Sequence, residues 1–133
     1  MHMIEYDDAP GYQPGVCNIG PAEIQRRRRS GYAGIGAALG LAITLLAVRA
    51  PAWTRLAVAA PLAVGIMGFM QARCKFCVGY ALSGRQNMGE LGEEQIIEDE
   101  AARQADRRRA LAMQLVATTG GLIAGLLFWR AKV

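Results

Sequence analysis

GYAGIGAALGLAITLLAV, residues Gly31–Val48, carries no charge, and arginines stand at both of its ends, Arg26–Arg29 before it and Arg49 after it. Two further stretches share that form: LAVAAPLAVGIMGFMQA, Leu56–Ala72, and ALAMQLVATTGGLIAGLLFW, Ala110–Trp129. At a helical rise of about 1.5 Å per residue, runs of this length cover about 25–30 Å, close to the roughly 30 Å hydrocarbon thickness of a bilayer. The chain therefore reads as an all-α membrane protein with three transmembrane helices. Function is to be sought on helix faces and in the short segments that flank them.

Working outward from the spans, the basic residues sort by side. Residues 1–30 and 73–109 together hold eleven Lys and Arg, whereas the other two exits hold four: Arg49, Arg55, Arg130 and Lys132. Positive charge collects on cytoplasmic segments, so the expected topology is N-in/C-out. Trp53 and Trp129 then fall at the outer interface and Tyr32 and Tyr80 near the inner one, as amphipathic rings prefer. The formal charge of +4 is no nucleic-acid signature here, because acidic residues equal the basic ones within each cytoplasmic segment. The N-terminus lacks the charged-then-apolar order of a cleaved signal peptide, so the first span is expected to be retained. His2, the sole histidine, is assigned no role.

Residues 1–20 read as an irregular, exposed arm broken at Pro10-Gly11, Pro14-Gly15 and Gly20-Pro21. A helical transmembrane hairpin is expected over residues 21–72, with Gly20 as N-cap, Pro21 at the first helical position and Glu23 in the positive first turn. Pro61 is expected to kink the second span. Residues 73–92, rich in glycine, suit an interfacial turn of helix and a loop. Over 93–133 one long helix is expected to begin near Glu93, pair Asp99 with Arg103, extend into the cytoplasm and end as the third span. Ile96 and Ile97 would form its one small docking face.

Cys17, Cys74 and Cys77 all fall on the expected cytoplasmic side, where reducing conditions argue against a permanent disulfide. On one helical turn, Cys74-x-x-Cys77 would present both sulfurs on one face, and Arg73 and Lys75 would surround them with the positive charge that favours a thiolate. Three readings stay open: small packing residues, redox or sulfur-carrying thiols, and metal ligands lacking a fourth donor. Gly36-x-x-x-Gly40 and Gly121-x-x-x-Gly125 are small-residue stripes that permit close helix approach, either within the chain or against another protein. No histidine lies inside a span to ligate haem or chlorophyll, and no charged residue inside one marks an ion path, so no cofactor is expected. Gln71 and Gln114 read as interhelix hydrogen-bonding groups. Arg26–Arg29, that is Arg26, Arg27, Arg28 and Arg29, with Arg107, Arg108 and Arg109, read as headgroup and topology anchors alongside Trp53 and Trp129.

At Cys17-Asn18-Ile19-Gly20, followed by arginines and a glycine-rich span, the chain resembles a family of small bacterial inner-membrane proteins of unknown function. Their membrane domain opens with Cys-Asn-Ile or Cys-Asn-Val, then arginines and a Gly-rich helical hairpin, and in some members it follows a rhodanese domain. The likeness covers about residues 17–72 and carries over Cys17 and Asn18. It implies a bacterial cytoplasmic membrane location and a link to sulfur transfer. The arginine spacing, Cys74, Cys77 and the long third helix depart from that pattern. The reading overall is a non-catalytic accessory subunit packed against a larger integral membrane complex, or against itself, in contact with membrane lipids. The alternative is a thiol module built on Cys17, Cys74 and Cys77.

Overall fold

The structure, a computed structural model, describes residues 11–132. Glu5, Asp7, Asp8 and the opening of the expected arm lie outside the described residues. Helix α1, Pro21–Ala47, begins as its sequence dictates: Gly20 is the extended N-cap, Pro21 occupies the first position and Glu23 lies in the first turn. A missing N–H costs nothing at that position. Gly20 is irreplaceable for a second reason, since a Cβ there would stand 2.5 Å from the carbonyl oxygen of Met88.

After α1 the chain reverses through Arg49, which adopts a left-handed φ of 56°. A 3₁₀ segment, Ala52–Val58, runs into α2, Ala59–Cys74. Pro61, where a kink is expected, is the third residue of α2, just past this change of helix type. Lys75, with φ 56°, closes α2 as a left-handed cap. There follow the short α3, Val78–Ser83, the strands β1, Arg85–Gln86, and β2, Gln95–Ile96, and the long α4, Glu100–Arg130. Three helical segments, Pro21–Ala47, Ala52–Cys74 and Glu100–Arg130, are long and apolar enough to cross a membrane, the mark of a multi-pass membrane protein.

Helices α1 and α2 meet backbone to backbone at their glycines, with the Tyr32 ring edge-on to Phe69 at 4.9 Å. Gly31 and Gly34 face Gly65 and Gly68, and a Cβ on Gly68 would lie 2.5 Å from the Gly31 nitrogen and 2.8 Å from its Cα. Close approach of this kind maximises dispersion between helices that gain no hydrophobic advantage in lipid. The within-chain role expected of Gly36 and Gly40 is corrected: a Cβ on either would meet none of the described residues of another helix within 4 Å. At about 100° per residue, Gly31, Gly34 and Ala38 occupy the side facing α2, which turns Gly36 and Gly40 away from it. On α4, Gly121 would place a Cβ 2.8 Å from the Ala59 oxygen, and Gly125 one 3.1 Å from the Ala59 Cβ, so both lie against the start of α2. Helices α1 and α4 thus flank α2 with little or no contact between themselves.

The long helix starts later than its sequence suggests. Gln95–Ile96 pairs antiparallel with Arg85–Gln86, and Asp99 then caps α4 by accepting from the Ala102 N–H. The Asp99–Arg103 ion pair is replaced by this cap and by donation from Arg103 Nε to the Ile97 oxygen at 2.6 Å. Ile96 and Ile97 form no common face, because successive residues of an extended segment point opposite ways: Ile96 is exposed and Ile97 is buried. The apolar core at this end comprises Phe76, Val78, Ala81, Ala110 and Met113, with Met67, Met70 and Cys74 packed on it.

Candidate functional site

The fully buried polar side chains Asn18, Glu23, Asn87 and Asp106 all sit at the end of the bundle where α1 and α4 begin and α2 finishes. Burying such groups is costly unless each is hydrogen-bonded, so their partners define what this end is built to hold. Residues 11–20, the described part of the segment before α1, are correspondingly not the exposed arm their breakers suggest. Gln13 and Cys17 exchange backbone hydrogen bonds around a turn, Ile19 bridges to Asn87, and Ile19 is fully buried.

Asn18 is the clamp. Its Oδ1 accepts the Cys77 N–H at 2.6 Å and its Nδ2 donates to the Cys77 oxygen at 3.1 Å, satisfying both backbone groups of one residue. Its own backbone accepts from the Asn87 N–H and donates to the Lys75 oxygen. Three segments far apart in sequence are thereby tied at one asparagine. Cys77 in turn caps α3, its sulfur accepting from the Tyr80 N–H at 3.4 Å. Arg27 Nη2 donates to the same sulfur at 2.7 Å.

Behind that contact lies Glu23. Its Oε2 accepts from the Tyr80 hydroxyl at 2.7 Å and from Asn87 Nδ2 at 3.2 Å. Its Oε1 has no directed hydrogen bond but stands 3.1 Å from the Arg27 guanidinium, a buried ion pair one helical turn long. Arg27 also lies 5.7 Å from the Tyr80 ring centroid. Burial, then the hydrogen bond to Glu23, pushes the Tyr80 hydroxyl above its ordinary range. A second clamp joins the arm to α4: Asp106 accepts from the Tyr12 hydroxyl at 2.7 Å and from the Gly15 N–H at 2.6 Å. Arg109 donates to the Gly15 oxygen at 2.9 Å and lies over Phe76. Burial, reinforced by Asp106, likewise pushes the Tyr12 hydroxyl up.

The three cysteines are separated in role. Cys74 ends α2 and Cys77 caps α3 with a left-handed Lys75 between them, so they do not share a helical turn or present a common sulfur face. Cys74 packs into the apolar cluster. Cys17 is half-buried with its thiol 3.6 Å from the Ile19 oxygen, and burial pushes that thiol up against a downward pull from Lys75. Among the described residues no three of His, Cys, Asp and Glu gather in a way that could hold a metal ion. Chemically, Cys77 is a sulfur supplied with a cationic donor but closed to solvent, at 4% exposure.

The arginines also divide. Arg27 and Arg109 are structural parts of the two clamps, whereas Arg26, Arg28, Arg29, Arg107 and Arg108 are exposed. At the opposite end Arg55 donates to the Phe128 and Ala131 oxygens at 3.2 and 3.0 Å, fastening the 3₁₀ segment to the last turn of α4 beside Trp53 and Trp129. Gln71 of α2 accepts from the Val78 N–H of α3, an interhelix hydrogen bond, whereas Gln114 donates to Thr118 within its own helix. Glu23 and Arg27 stand at i,i+4, a signal of pairing visible in the sequence. Their meeting with Tyr80 and Asn87, 57 and 64 residues away, has no local sign. No family model matches the chain, and no curated protein and no solved structure matches it.

Proposed function

We propose that the chain is a non-catalytic packing subunit of a bacterial cytoplasmic membrane, N-in/C-out, that joins a larger integral membrane assembly or a second copy of itself. The observation that carries this reading is the unoccupied stripe of Gly36 and Gly40, continued by exposed Thr44, on the side of α1 turned away from α2. Small residues at this spacing admit a neighbouring backbone, and the chain spends its own close-approach glycines elsewhere. Two of the three cysteines support the same reading, since the Asn18 clamp holds Cys77 and the apolar cluster holds Cys74 in structural tasks. Gly36→Leu and Gly40→Leu should insert normally yet lose the partner or the self-association on gentle detergent purification. Undiminished recovery of every associated chain by both variants rejects the reading. Orientation is tested separately: in intact cells a membrane-impermeant thiol reagent should label Ala52→Cys and spare Glu90→Cys in a cysteine-free background.

One contact favours a second reading, a thiol module: the 2.7 Å approach of Arg27 to the Cys77 sulfur. A cationic donor stabilises a sulfur anion, the reactive form. Under this reading a small alkylating reagent reacts with Cys77 faster than with Cys17 in the folded protein, and Arg27→Gln slows it. Protection of Cys77 until the protein unfolds eliminates the thiol module.

A further inference from the structure

Between α1 and α4, over the exposed side of α2, lies a cleft of about 240 Å³. Its floor is apolar, Ala63, Val64 and Met67, and its edges carry Ser30 of α1, Gln71 of α2 and Gln114 of α4. One turn further toward the clamp end, a second depression of about 360 Å³ is lined by Gln104, Arg107, Arg108 and Leu111. Arg107, Leu111 and Gln114 succeed one another at i, i+4 and i+7, so the two hollows follow one face of α4. Arg107 and Arg108 are exposed and have no ion pair or hydrogen bond among the described residues, while Asp106 just before them is turned inward onto Tyr12 and Gly15. Across the cleft, Arg26 stands one turn before Ser30 on α1, with its side chain 61% exposed.

The order of chemistry along this surface is cationic, then amide and hydroxyl, then apolar. That is the order of a phospholipid read from phosphate through glycerol ester to acyl chain. A partner helix fits less well. The apolar face of a transmembrane helix would leave the arginines and amides that line these hollows unanswered.

We propose that this surface binds one anionic phospholipid. The phosphodiester sits between Arg107 and Arg108, with Arg26 opposite; Gln114 and Ser30 meet the ester region; one acyl chain lies over Val64 and Met67. Guanidinium forks suit phosphate oxygens, and each arginine near the membrane surface contributes about a fivefold factor toward an anionic headgroup.

Native mass spectrometry of the detergent-released chain, titrated with phosphatidylglycerol or phosphatidylcholine of matched acyl chains, tests the proposal. Phosphatidylglycerol should bind more tightly, and the double variant Arg107→Gln/Arg108→Gln should weaken it about thirtyfold while leaving phosphatidylcholine unchanged. Val64→Trp fills the cleft from its exposed floor and should weaken both lipids without altering the circular dichroism spectrum. Equal affinity for the two lipids, or a preference that survives the double variant, overturns the headgroup site. Undiminished lipid binding by Val64→Trp, glycerol 3-phosphate competing as well as the whole lipid, or a second copy cross-linking into the cleft overturns the acyl-chain seat. None of these readouts depends on whether the Gly36 and Gly40 stripe finds a partner.

Discussion

Replacing Gly68 with alanine should drive the first two spans apart. The new Cβ would stand 2.5 Å from the Gly31 nitrogen, 2.8 Å from its Cα and 2.9 Å from the Arg27 oxygen. Ordinary carbon contacts lie at about 3.5–4.0 Å. All three obstacles are backbone, which cannot rotate out of the way as a side chain can, so the helices must separate by about 1 Å. A gap of that size forfeits a quarter to a half of each dispersion contact it opens. Overpacking of this kind costs about 1–3 kcal/mol, and the better helix propensity of alanine returns about 1 kcal/mol, leaving a net loss of up to about 2 kcal/mol. Gly36→Ala is the matched control. With nothing within 4 Å of its Cβ, only the propensity gain remains, so the isolated chain should be unchanged or about 1 kcal/mol more stable. Thermal unfolding in mild detergent, followed by circular dichroism, ranks the two. Should Gly68→Ala prove as stable as Gly36→Ala, the backbone-contact account of the hairpin is wrong.

Asn18→Ala strips the buried Cys77 N–H and carbonyl of their partners; at about 1–3 kcal/mol for each orphaned group, a loss of about 3 kcal/mol is expected in the same unfolding assay. Tyr12 and Tyr80 are both held protonated in the folded state, by burial and by a carboxylate partner. Their stabilising contribution is complete below the ordinary tyrosine pKa of about 10 and is lost as pH rises above it, because the unfolded chain then binds fewer protons than the folded one. Unfolding followed between pH 8 and about 11.5 should show stability falling above about 10, and Tyr12→Phe/Tyr80→Phe should flatten that fall; an identical slope in the double variant removes these tyrosines as its cause.

The three apolar stretches, the start of α1 and the division of the chain into an apolar hairpin and a long last helix were legible from residue order alone. Each rests on local physics: a run of uncharged residues long enough for a bilayer, a Gly-Pro pair that can only begin a helix, and acidic residues where the helix dipole favours them. Gly36-x-x-x-Gly40 shows where such reading stops. Its spacing is that of Gly121-x-x-x-Gly125, yet one pair faces nothing and the other lies against Ala59, because a spacing identifies a face without saying which neighbour covers it. The start of α4 went the same way. Nothing local marks Gln95–Ile96 as extended; a two-residue pairing with Arg85–Gln86 and the Asp99 cap hold it so.

The polar interior belongs wholly to tertiary structure. Cys17, Cys74 and Cys77 could be noticed as residues, but their separate fates depend on Asn18 reaching Cys77 across 59 positions and on Arg27 reaching it across 50. By itself the sequence determined that the chain spans a membrane, since hydrophobic length is a property of consecutive residues summed along a helix. Only the folded chain decided which glycines join helices, which arginines face outward and which cysteine meets a cation, because each of those is set by contacts between segments whose sequence separation carries no energetic signal until they pack.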